Sequence, residues 1–212
     1  MRRIVLFFAL AAVVAASCTA PPVRTTQPQR VLIVGDSFVH GSSFLGFPTL
    51  IGELRPLLHA RGIDVRVVGG EASRPIHDNW IGLVEDQVDV WDPDLVILQS
   101  NNPESITGYD RGTLAVTWAW MAGLAAQHGA DVWRIDPPNP QPGKYVTALW
   151  GHQLPDLRAT QAEGVAAGAA NRQRAIDIDG VLASCPAPWT FDGYHLVASG
   201  QRCLAAHLNS LI

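Results

Sequence analysis

Ser37 near the start of the chain and the pair Asp192 and His195 near its end have side chains that together can run nucleophilic catalysis. Ser37 follows Gly35 and Asp36 at the end of the apolar run RVLIVG, 30–35. Glycine lets the chain turn sharply there, and the next segment opens on backbone N–H groups that have no partner of their own. Such groups can hold a developing oxyanion. A serine also needs a base kept in one tautomer by an acid. Of the seven histidines, His195 has that company, because FDGYHLVASG places Asp192 three residues ahead of it. His59, His128 and His207 fall in helical segments and read as surface or packing residues. His40 is close to Ser37 with nothing to orient it, and His77 and His152 lie in loop-like contexts. A lone D-x-x-H is common, so its weight comes from the partner G-D-S motif.

For these residues to meet, the fold must bring both ends of the chain to one edge. Five short apolar runs bounded by Gly, Asp or Pro read as buried strands: 30–35, 64–69, 94–99, 131–136 and 174–179. Between and after them, helical spacing spans 47–61, 77–90, 111–128, 157–174 and 199–212. This alternation predicts a parallel sheet with helices on both faces. The Pro-rich stretch 136–156 reads as a long loop beside the site, since ligands of such sheets bind at the carboxyl ends of strands.

At 212 residues the chain suits one sizeable core. Hydrophobic residues form 48% and charged residues 16%, a globular composition. The net charge is -4, Lys144 is the one lysine, and no basic cluster follows the first three residues. Nucleic acid is therefore excluded as a partner. Arg2 and Arg3 lead the apolar run IVLFFALAAVVAA, too short to span a membrane comfortably. Residues 1–17 read as a signal peptide, and Ala15-Ala16-Ser17-Cys18 looks like a lipoprotein box with Cys18 as the lipidated residue. Residues 18–29 form a Pro/Thr/Gln tether, and the domain occupies 30–212. The expected location is outside the cytoplasmic membrane, anchored by lipid or else secreted. With Cys18 lipidated, Cys185 and Cys203 remain as a disulfide pair in an oxidising compartment.

G-D-S at 35–37 and D-G-Y-H at 192–195 make the chain resemble the SGNH hydrolases, or GDSL-type esterases. The resemblance extends over 30–212, with Gly41 after the serine and DGYHLVASGQ similar to the family's D-x-x-H-L-x-x-x-G wording. It implies a flavodoxin-like three-layer α/β/α sandwich with a five-stranded parallel sheet. It also implies Ser37 as nucleophile, His195 as general base, Asp192 as supporting acid, and no cofactor or metal. The middle motifs depart from the pattern. In LQSNNPE, Gln99 stands where the family has glycine, Asn101 is the oxyanion-hole amide, and Asn102 competes for that role. The oxyanion hole would combine the Ser37 N–H, Asn101 and a backbone donor at Gly70, although ungapped matching puts Arg74 at the expected glycine.

The reaction so implied is two-step acyl transfer on an acylated small molecule, glycan or lipid. Export suggests an envelope substrate, with short acyl groups such as O-acetyl sugars first and longer lipids second. Trp150 and Trp189 fall in or near site loops and could stack on a sugar or an acyl chain, whereas Trp118 and Trp120 read as core. Two other classes fit the same residues: an acyltransferase with the same triad, and a silent glycan- or lipid-binding module, which Gln99 and Arg74 favour.

Overall fold

The five β-branched runs become five strands of one sheet: β1 (Arg30–Val34), β2 (Asp64–Val68), β3 (Leu95–Gln99), β4 (Asp131–Ile135) and β5 (Gln173–Ile176). The computed structural model describes residues 27–40, 49–69, 76–99, 110–139, 154–190 and 195–212. The sheet order is β2-β1-β3-β4-β5 and every neighbouring pair is parallel. This is the flavodoxin-like order, whose strand sequence reverses between β1 and β3. Carboxyl ends of strands meet at that reversal, which makes it the natural place for a site.

Side-chain alternation divides the sheet into two buried faces. Val31, Ile33 and Ile97 face α2 (Leu50–His59) and α7 (Ala198–Leu211). Leu32, Val34, Val96 and Leu98 face α3 (Ile76–Trp91), α4 (Arg111–Gln127) and α5 (Leu154–Ala169). Both faces being covered explains why the strands are nearly continuous apolar runs. A helix layer on each side makes the expected three-layer sandwich. The start of β1 is tied to the β3 side by Asp94, whose carboxylate accepts the Gln29 and Arg30 N–H groups at 2.9 Å each.

Local chemistry corrects two expected boundaries. The run 174–179 was expected to be strand throughout, yet β5 stops at Ile176. The Asp177 carboxylate accepts the Gly180 N–H at 3.0 Å and starts α6 (Ile178–Ala183), because a cap is available just where the alternating pattern continued. The second correction concerns 157–174. Helix α5 begins three residues earlier, with Pro155 in its first turn, where proline loses no helical hydrogen bond. It ends at Ala169, and Ala170, at φ 47°, opens a 3₁₀ turn Ala170–Arg172 that leads into β5.

Helices α4 and α5 approach closely through glycine. A Cβ on Gly164 would lie 2.7 Å from the Ala115 oxygen, and one on Gly168 would lie 2.7 Å from the Gly123 nitrogen and closer still to the Ala119 oxygen. Backbone on both sides leaves nothing flexible to give way. Gly168→Ala is therefore expected to destabilise the fold by about 1–3 kcal/mol, the usual cost of overpacking. A denaturant midpoint unchanged from the wild type, at constant m-value, would contradict this close packing.

Candidate active site

At the carboxyl end of β1 the chain turns at once into a one-turn helix, α1 (Ser37–His40). The turn needs Gly35, since a Cβ there would lie 2.7 Å from Val39 Cβ and 3.0 Å from Gln99 Oε1. The backbone is then held link by link. Gly35 N–H donates to the Val68 carbonyl of β2 at 3.0 Å, and Asp36 N–H donates to Gln99 Oε1 at 3.2 Å. The fully buried Asp36 caps α1, with Oδ1 accepting the Phe38 N–H at 2.9 Å and its carbonyl accepting the Val39 N–H at 3.1 Å. Among the described residues nothing accepts the Ser37 N–H. The turn thus presents one uncommitted donor beside the serine hydroxyl, which is the arrangement an oxyanion requires.

His195 arrives from the other end of the chain. Thr190 and Leu196 form an isolated antiparallel bridge, and Val197 N–H donates to the Trp189 carbonyl at 2.9 Å. Leu196 is buried in the core cluster beneath α7, so the residue before it is carried up to the sheet edge. A Cys185–Cys203 disulfide joins the segment after α6 to α7 across this loop. On the chain-entropy model, a bridge closing a loop of this size contributes roughly 3 kcal/mol.

The two segments meet with Ser37 Oγ 3.3 Å from His195 Nε2, in a partly buried contact. Catalytic hydrogen bonds of unliganded sites are commonly this long and tighten when substrate is bound. With Nε2 as the acceptor of the hydroxyl proton, Nδ1 carries the ring hydrogen and needs an oriented acceptor of its own. Asp192, the residue expected to fill that role, lies outside the described residues, as do Asn101, Asn102, Gly70, Arg74, Trp150, His152 and Cys18. The His40 and His77 side chains are likewise outside them. Trp118 is fully buried in the core, while Trp189 is half-buried beside the His195 loop.

Two features at the strand ends were not singled out as site elements by sequence. Gln99, last in β3 and fully buried, holds Asp36 through Oε1, while its buried Nε2 has no hydrogen-bond partner among the described residues. A desolvated donor left unpaired costs about 1–3 kcal/mol. The second feature lies after β4, where Asp179 of α6 accepts the Asn139 N–H at 2.8 Å and the Asn139 side chain at 2.6 Å. Arg158 of α5 joins it, 2.7 Å from Asp179 and 2.8 Å from the Pro137 carbonyl. This network pins the exit of β4. Its members come from three elements, and no sequence spacing linked them.

No protein-family model and no curated protein sequence matches the chain. Solved structures do match. A lipase/acylhydrolase from Enterococcus faecalis superposes with a TM-score of 0.67 at 19% identity, over 87% of this chain and 95% of that one. A protein assigned to the SGNH hydrolases, from Slackia heliotrinireducens, gives 0.64 at 19% identity, over 87% and 98%. A GDSL-like lipase from Bacteroides thetaiotaomicron gives 0.60 at 15% identity, over 86% and 87%. These matches extend over 86–87% of this chain and 87–98% of each neighbour, so this chain has the fold of the SGNH hydrolases.

Proposed function

We propose that the protein is an exported serine ester hydrolase that removes acyl groups, short ones first, from an envelope glycan, glycolipid or lipid. The observation that carries this reading is the 3.3 Å approach of Ser37 Oγ to His195 Nε2 at the carboxyl end of β1. The names of the structural neighbours, lipases and acylhydrolases, point the same way. In this mechanism Ser37 attacks the ester carbonyl as its proton passes to His195 Nε2. The carbonyl oxygen, now negative, takes the Ser37 N–H and the amide of Asn101, with Gly70 as a further backbone donor. His195 then protonates the departing alcohol, leaving an acyl-serine. Water gives its proton to His195 as it attacks the acyl carbon, and His195 returns that proton to Ser37 Oγ as the acyl–Oγ bond breaks and the acid leaves. Asp192 holds the imidazole and stabilises its charged form.

Export rests on Arg2, Arg3, the apolar run after them and the Cys18 box. The Cys185–Cys203 disulfide supports it, because such bridges persist in oxidising compartments. Reducing that bridge is expected to lower esterase activity at least several-fold while circular dichroism shows the helix content retained. Unchanged activity with both thiols proven free would remove the bridge from the account of the site. Hydrolysis of p-nitrophenyl esters from acetate to decanoate tests the proposal and ranks acyl lengths. Repeating the assay with and without a sugar acceptor distinguishes transfer from hydrolysis. A folded protein inactive on every ester, with or without acceptor, would defeat the enzymatic reading.

A further inference from the structure

We infer that Gln99 is the positioning residue that aims the nucleophile, a role that rests on the hydrolase reading above. Leu98 pairs with Val34, so Gln99 stands level with the turn that follows β1, on the sheet face shared with Ile97. Its carboxamide packs on the bare backbone of Gly35, in space that a Cβ at position 35 would contest. Oε1 takes the Asp36 N–H at 3.2 Å, and the Asp36 carbonyl takes the Val39 N–H at 3.1 Å. Both peptide planes flanking Asp36 are thereby pinned, and the second of them carries the Ser37 N–H. With the neighbouring N–H groups of 35, 36, 38 and 39 all committed, Gln99 helps leave that donor in a fixed direction.

Methionine of similar shape would serve the core as well, since Gln99 satisfies the Asp36 N–H while its own Nε2 has no partner among the described residues. What the carboxamide adds is a fixed direction for the turn that carries the nucleophile. It stands at a position where the SGNH pattern has glycine.

The test compares Gln99→Met and Gln99→Glu with the wild type by three readouts: thermal midpoint, the rate of Ser37 labelling by a fluorophosphonate, and KM and kcat on a p-nitrophenyl ester. Gln99→Met keeps the volume and removes the acceptor. It is expected to melt within about 4 °C of the wild type, because one unpaired donor replaces another. Its labelling rate and kcat should fall about 10–100-fold, with KM unchanged within about twofold, as a misaimed nucleophile requires. Gln99→Glu, whose buried carboxyl stays neutral and keeps an oxygen for Asp36, should recover labelling to within about threefold of the wild type. Wild-type labelling in Gln99→Met would overturn the positioning role while leaving the hydrolase reading intact. A rate loss that tracks a falling melting point in both variants would overturn it too, as packing. A folded wild type that neither labels nor turns over would overturn both.

Discussion

Alanine at position 37 is expected to lower kcat by about 10⁵-fold or more, with the fold left as it was. The size follows from how a nucleophile and its base act as a unit: losing either member removes nearly all of their joint contribution. His195→Ala should therefore fall to a similar level, and the double variant should be no slower than either single one. The structure explains why stability is spared. Ser37 makes its side-chain contact to His195, while α1 is capped by Asp36 and held by Phe38 and Val39. Neither change opens a cavity in the core, so each should shift stability by less than about 0.5 kcal/mol. Steady-state kinetics with melting curves on the three variants would check this. A Ser37→Ala protein retaining a tenth of wild-type turnover would place the nucleophile elsewhere.

Asp192→Asn is expected to cost about 10⁴-fold in kcat with little change in KM, the scale seen when a triad acid is replaced by its amide. His195 Nε2 faces Ser37, so Nδ1–H must be held on the far side, and an asparagine amide can favour the wrong tautomer. Asp192 stands three residues ahead of His195 in the sequence, between Thr190 and Leu196, which pair as an antiparallel bridge. A loss below about tenfold would mean that another group orients the imidazole.

Much of this architecture is written locally in the chain. The five strands were legible because short apolar runs are bounded by Gly, Asp or Pro, and their crossovers are long enough for helices. Sequence pattern and structure part where one pattern serves two elements. Ile176-Asp177-Ile178-Asp179 alternates like a strand, but the Asp177 carboxylate finds the Gly180 N–H and converts the second half to helix. The Pro-rich segment concealed the start of α5, since proline is tolerated in a first helical turn. The contact of Ser37 with His195 was legible as a pair of motifs, although its 3.3 Å distance depends on a bridge, a disulfide and a sheet edge. Gln99 was visible only as a departure from a family glycine. Its bond to Asp36 joins residues 63 positions apart, beyond the reach of any local rule. The Arg158–Asp179–Asn139 network was hidden for the same reason.

The central claim is that Ser37 is a nucleophile activated by His195, and covalent labelling tests it most directly. The wild type, Ser37→Ala and His195→Ala would be treated with a fluorophosphonate and followed by intact mass and peptide mapping. The account predicts a single adduct on Ser37 in the wild type, none in Ser37→Ala, and labelling slowed by orders of magnitude in His195→Ala. An adduct on another residue, or no adduct on a folded wild-type protein, would contradict it.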